Sequence, residues 1–120
     1  MCYVSKHFKE SELCCPCCKH YIHSVRLLYS LEKLRRLAGN LPMTITSGTR
    51  CAAHNKDVGG VPGSKHVLGQ AADIVVHGLH PEELALLCSN VVAFEHGGIG
   101  QYKTFLHVDV REDGPARWHG

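Results

Sequence analysis

Two short stretches of this 120-residue chain concentrate side chains able to do chemistry. The first is Ser64-Lys65-His66-Val67-Leu68-Gly69-Gln70-Ala71-Ala72-Asp73, and the second is Phe105-Leu106-His107-Val108-Asp109-Val110-Arg111. Asp73 is flanked by Ala71, Ala72, Ile74, Val75 and Val76, and burying an unpaired carboxylate costs several kcal/mol. A metal ion removes that penalty by supplying the compensating charge. His107 interrupts an apolar run in the same way, and on a strand it would share a face with Asp109. Two His and one Asp leave a tetrahedral zinc one open position for water, the layout of a catalytic rather than a structural site. Bound water then becomes a usable nucleophile near neutral pH. A lone His on a strand is more often a satisfied core residue than a ligand, so it is the set of three that points to metal.

The cysteines form a second concentration. Seven Cys and ten His in so short a chain make metal a reasonable expectation before any motif is read. Within Cys14-Cys15-Pro16-Cys17-Cys18, Cys14 or Cys15 pairs with Cys17 or Cys18 at Cys-x-Cys or Cys-x-x-Cys spacing, and His20, His23 or Cys51 can complete a tetrahedral shell. We take Cys14, Cys17, Cys18 and Cys51 as the set for a second, structural metal, which would tie the N-terminal segment to the core. Free thiols, or one disulfide to Cys51, account for the cluster equally well. An odd number of cysteines excludes full pairing within one chain. Cys2 and Cys88 look incidental, the latter as a small apolar residue on a helix.

The elements that must position these residues read as mixed α and β. From Ser24, a candidate N-cap, Val25, Leu28, Leu31, Leu34 and Leu37 repeat every three residues beside Leu27, and Gly39 marks a stop. An amphipathic helix is expected there. Met43 to Ser47 alternates apolar and hydroxyl residues as a short strand does. One or two helical turns over 51–57 precede the loop Gly59-Gly60-Val61-Pro62-Gly63. Ala71 to Val76 reads as a buried strand and Pro81 to Cys88 as a second helix, with Pro and acids in its first turn. His96-Gly97-Gly98-Ile99-Gly100 leads to a last strand, Phe105 to Val110. Residues 1–23 read as an irregular Cys-rich segment and 24–120 as the catalytic core of one domain.

Composition excludes several classes. With 44% hydrophobic and 20% charged residues the chain is an ordinary globular sequence, and its net charge of +2 is too weak to argue for nucleic acid. No segment approaches the ~20 apolar residues of a membrane span. The first residues carry no apolar stretch of a secretory signal, so the expectation is a monomer that is cytoplasmic as synthesised. It would then reach a cell wall after lysis or with a phage.

Taken together, Ser64-x-His66-x-x-Gly69-x-Ala71-x-Asp73 and the Gly-Gly-Ile-Gly…Phe-Leu-His-Val-Asp-Val-Arg context of His107 resemble the zinc D-Ala-D-Ala carboxypeptidase family. That superfamily includes phage L-alanyl-D-glutamate endopeptidases, murein endopeptidases and the hedgehog signalling domain. Ser47-Gly48-Thr49-Arg50-Cys51-Ala52-Ala53-His54-Asn55 is similar to the family's Ser-Gly-Tyr-Arg…His-Asn segment, with Thr49 replacing the usual Tyr. The similarity runs from about residue 8 to about residue 118. It implies an α+β, hedgehog/DD-peptidase-like fold, a small antiparallel sheet with helices packed on one side. It implies that His66, Asp73 and His107 hold zinc, that Arg50 steadies the substrate's carboxylate or carbonyl, and that Ser64 hydrogen-bonds near the site. A guanidinium fork suits that role for Arg50.

The resemblance fails at the catalytic base. Many relatives place an acid three positions before the last His ligand, where this chain has Thr104, and some place a His two before it, where this chain has Phe105. Asp109 is the expected replacement, as base or as the group orienting a zinc-ligating His, with Glu95 and His96 as alternatives. The expected activity is hydrolysis of peptidoglycan stem peptides by metal-activated water. A zinc-containing wall-binding module without turnover is the second reading, and a zinc-ribbon-like module built on the cysteines is the third.

Overall fold

The computed structural model describes residues 2–120. Strand alternation decides its architecture. Along β2 (Ala71–Val76) and β4 (Leu106–Asp109), Ala72, Ile74, Val76, Leu106 and Val108 face one way, while Asp73, His107 and Asp109 face the other. The apolar face meets Leu27, Leu28, Leu31 and Leu34 of α2 (Val25–Leu37), Leu84 of α4 (Pro81–Leu87) and Phe94 of α5 (Val92–Glu95) in one core. The opposite face carries the chemistry.

The sheet has five strands in the order β1-β2-β4-β3-β5, where β1 is Met43–Ser47, β3 is Gly98–Gln101 and β5 is Ala116–His119. All neighbours are antiparallel except β3 and β5, which run parallel. The fold is thus the expected small α+β sheet, with α2, α4 and α5 packed on its apolar face and one parallel edge pair. Neither β3 nor β5 was anticipated, and the last expected strand, Phe105 to Val110, is the shorter β4. The remaining helices are α1 (Glu10–Leu13) and α3 (Ala52–Asp57), and a 3-10 turn spans Cys88–Asn90.

Helix α2 starts where Ser24 accepts a hydrogen bond from Leu27 N and ends before Gly39, whose φ of 82° is the left-handed turn that stops a helix. Its ends depart from the expected stripe, since Val25 is 70% and Leu37 40% exposed. A strict three-residue repeat drifts about 60° per step on a 3.6-residue helix, so its outer members rotate away from the core. Residues 2–23 are less irregular than expected. Phe8 and Leu13 are buried in the main core, and Tyr3 forms an antiparallel bridge with Lys9. No helix among the described residues is long and apolar enough to cross a membrane.

Candidate metal centre

Strand register assembles the site. Ser47, Asp73, His107, Gly100 and Trp118 stand opposite one another in a single row across the five strands. A bulge between Ile45 and Ser47 brings Ser47 into that row. His66 reaches it from the turn before β2, where His66 O accepts from Arg50 N at 3.0 Å and Ser64 Oγ accepts from His66 N at 3.2 Å.

Hydrogen-bond partners fix which ring nitrogen faces the centre. His66 Nδ1 lies 2.8 Å from Gly48 O, and a carbonyl can only accept, so Nδ1 carries the proton and the Nε2 lone pair faces inward. His107 Nε2 lies 2.8 Å from Asp109 Oδ2, and with a metal at the centre Nε2 would donate there and Nδ1 would be the ligating nitrogen. Both remaining nitrogens converge on Asp73 Oδ1, at 3.2 Å from His66 Nε2 and 3.0 Å from His107 Nδ1. Three such atoms around one point form a group that could hold a cation. One atom from each residue lies within 4.8 Å of the others, and this geometry with two imidazoles and a carboxylate fits zinc.

All three donors are buried, at 2% exposure for His66, 6% for Asp73 and 8% for His107. Burial alone would raise the Asp73 pKa, but His107 and His66 outweigh it and hold the carboxyl at about 2. Burial acts against a charged His107, yet the Asp109 and Asp73 carboxylates at its two nitrogens raise it above the usual imidazole value. Asp109 has no exposure at all. Burial pushes its carboxyl up, and His107 and Arg111 together hold it well below the ordinary carboxylate range.

Arg50 braces the other carboxylate oxygen. Its NH2 donates to Asp73 Oδ2 at 3.4 Å, its Nε to Ser47 Oγ at 3.0 Å and its NH1 to Asn55 Oδ1 at 3.2 Å. Asn55, from α3, is itself buried and donates to Val61 O at 2.8 Å, pinning the glycine-rich loop. The site opens onto a cavity of about 530 Å³ lined by Arg50, Gly60, Ser64 and the three donors, among others. Tyr102, Phe105 and Trp118 line it as well. The Trp118 ring lies 5.0 Å from that of His107, its Nε1 donates to Tyr102 Oη at 2.9 Å, and Tyr102 stacks on Phe105 at 4.5 Å.

The sequence-derived candidates separate accordingly. His66, Asp73, His107, Arg50 and Ser64 all line the cavity. Asp109 lies beneath it, in contact with His107. Thr104 is exposed between β3 and β4, and Glu95 is exposed with its carboxylate 3.7 Å from Arg117. Neither they nor His96 line the cavity, and among its described lining residues Asp73 is the sole carboxylate.

The cysteine set also differs from expectation. Cys15, Cys17, Cys18 and Cys51 come together, and Cys14 does not join them. Cys14 follows α1 in extended backbone, where successive side chains point to opposite sides, so Cys15 turns inward while Cys14 Sγ donates to Ser11 O at 3.7 Å. His20 and His23 stand outside the group, and His23 Nδ1 pairs with Tyr21 Oη at 2.9 Å. No sequence pattern assigns a role to Trp118, Tyr102 or Asn55. The one Trp of the chain, lying among polar residues near the C-terminus, was the available signal for the first.

A zinc D-Ala-D-Ala carboxypeptidase of Streptomyces albus G is 36% identical over 47 residues, a stretch covering 39% of this chain and 18% of that protein. The chain therefore spans only a small part of that relative's length. A profile of the family described as Peptidase M15 matches residues 6–109, from the N-terminal segment to the end of β4. The chain belongs to the peptidase M15 family.

Proposed function

We propose that the chain is a zinc peptidase that hydrolyses peptide bonds in peptidoglycan stem peptides, with His66, Asp73 and His107 as metal ligands. The observation that carries this reading is the convergence of His66 Nε2 and His107 Nδ1 on Asp73 Oδ1 at the base of an open cavity. Family membership supports a peptidase, and the name of the Streptomyces albus G relative supports a D-alanine-containing substrate. Zinc held there would acidify a bound water and polarise the scissile carbonyl. Arg50 beside it would orient a substrate carboxylate or carbonyl. Tyr102 Oη accepts from Trp118, which leaves its own proton free to donate into the cavity. Ser64 Oγ, besides capping its turn, faces the same space. A lytic setting belongs to the same proposal.

Asp109, the expected base, acts in this proposal through His107 instead. It is sealed from the cavity, and its oxygens accept from Gly98 N, Arg111 and His107. It is a positioning residue that sets the His107 tautomer.

The test compares zinc content and release of free amines from purified peptidoglycan between the wild type and His66→Ala. Zinc and amine release in the wild type, both reduced in the variant, are expected. A wild type that binds zinc in the cleft but cleaves no murein preparation would favour a binding module of the same fold. The observation favouring that second reading is the lack of any carboxylate besides Asp73 among the described residues lining the cavity.

A further inference from the structure

The cleft leaves the cysteine cluster unexplained. Cys15, Cys17, Cys18 and Cys51 hold four Sγ atoms within 4.8 Å of one another. Cys17 Sγ is 3.5 Å from Cys15 Sγ and 3.3 Å from Cys51 Sγ. A tetrahedral zinc with bonds of about 2.3 Å sets its sulfurs roughly 3.8 Å apart, whereas a disulfide brings two sulfurs to about 2.05 Å. The spacing suits a shared ion better than a bond between any pair.

The backbone is arranged to match. Three of the sulfurs come from one tight turn, closed by Cys15 N to His20 O at 2.7 Å and Lys19 N to Cys15 O at 2.8 Å. The fourth comes from the N-cap of α3, 34 residues beyond Cys17. Two backbone N–H groups donate to sulfur, Cys51 N to Cys15 Sγ at 3.5 Å and His54 N to Cys51 Sγ at 3.4 Å. Donors of this kind favour thiolate over thiol. As thiolates the four would repel one another unless a cation sat among them, and soft sulfur donors select zinc over magnesium or calcium.

We infer that Cys15, Cys17, Cys18 and Cys51 bind a second, structural zinc that clamps the 15–20 turn to the start of α3. The inference stands apart from the cleft metal. Its consequence reaches the cleft because Cys51 directly follows Arg50, and α3 supplies the Asn55 that holds the Arg50 guanidinium. Thr49, on the other side of Arg50, takes Ile22 N at 3.2 Å and joins Leu13 O through its own N–H at 2.8 Å. The clamp therefore fixes both flanks of the segment that delivers Arg50.

The test measures zinc per chain in reductively purified wild type, in His66→Ala and in a Cys17→Ser/Cys51→Ser double variant, then repeats with cobalt. Thiolate ligation gives cobalt an intense charge-transfer absorption that a His and Asp site lacks. Two zinc ions in the wild type, one in His66→Ala and a thiolate band in cobalt-loaded His66→Ala are expected. The double variant should keep one zinc, lose the band and melt at lower temperature. A wild type with one zinc or none, with no thiolate band, overturns the inference, as does an unreduced chain two hydrogens lighter from a Cys17–Cys51 disulfide. One zinc in both wild type and His66→Ala, each with the band, would uphold the cysteine site and remove the cleft metal. Where the double variant fails to fold, the cobalt spectra of the other two proteins decide the matter.

Discussion

Asp109 Oδ2 lies 2.8 Å from Nε2 of His107, two residues earlier on the same strand. The pair is built into the sheet. Residue 98 faces Asp109 across the β3–β4 pairing, and a Cβ there would overlap the carboxylate, so glycine makes its room. Arg111 closes the other side, its NH2 donating to Oδ2 at 2.7 Å and its Nε to Oδ1 at 2.9 Å. The carboxylate thereby orients His107 with Nδ1 toward Asp73 and would raise its basicity as a metal ligand.

Asp109→Asn preserves shape while removing that charge. Zinc affinity of the cleft should fall about 10–100-fold, with kcat at saturating zinc within roughly tenfold of wild type. Chelator competition and steady-state hydrolysis read the two quantities separately. Unchanged affinity with kcat reduced about 1,000-fold or more would make Asp109 the group that takes the proton.

Arg50 spans three acceptors on three elements, Ser47, Asn55 and Asp73. A lysine ammonium is a point charge that cannot reproduce that fork. Arg50→Lys should lower kcat/KM about 10–100-fold, equivalent to about 1.4–2.7 kcal/mol of transition-state binding. Its zinc content should stay at the wild-type level. An Arg50→Lys protein with wild-type kcat/KM would take Arg50 out of substrate binding.

Trp118 reaches His107 because Gly100 stands between them in the row. A Cβ at residue 100 would overlap the indole, so Gly100→Ala must push the ring away from the cleft. Overpacking of this kind costs about 1–3 kcal/mol. Trp118 is the one Trp of the chain, so its emission reports the displacement directly. The variant should show a red-shifted emission maximum and weaker peptide hydrolysis with zinc affinity retained. An unshifted spectrum would mean the ring is not held where the register puts it.

Much of this site was legible because charge in an apolar run is costly. Asp73 among Ala and Val, and His107 between Leu106 and Val108, stand out by that conflict, and it takes the set with His66 and the family resemblance to make them ligand candidates. The helix at Val25–Leu37 and the strands at Met43–Ser47 and Ala71–Val76 followed from periodicity and caps. The glycine-rich β3 was not legible as a strand, since Gly98 and Gly100 are chosen for the side chains facing them across the sheet. The four-residue β5 has too short a pattern to read, and its parallel pairing with β3 depends on tertiary packing. With β5 unread, Trp118 had no place near His107. Asp109 was placed on the correct face, but its full enclosure depends on Gly98 and Arg111, which no local pattern reveals.

Acid should loosen the N-terminal segment first through Glu32. This α2 residue accepts from Ser5 Oγ at 2.7 Å and His7 N at 2.6 Å, and meets His7 Nδ1 at 2.6 Å. Burial would raise its pKa, but the bonds from Ser5 and His7 outweigh it and hold the folded carboxyl below 4.5. As pH falls, the unfolded chain therefore takes up this proton before the folded one does. The stabilisation is complete above about pH 4.5 and drains away as pH drops through the lower folded value. Glu32→Gln should cost about 1–3 kcal/mol at neutral pH, by weakening charge-assisted bonds. The gap between wild type and variant should then shrink under acid. Thermal unfolding of both proteins from about pH 7 to about pH 3 measures that gap, and contributions common to both, such as those of Asp73 and Asp109, cancel in the difference. A gap that stays constant across the range would show that Glu32 does not couple the segment to pH.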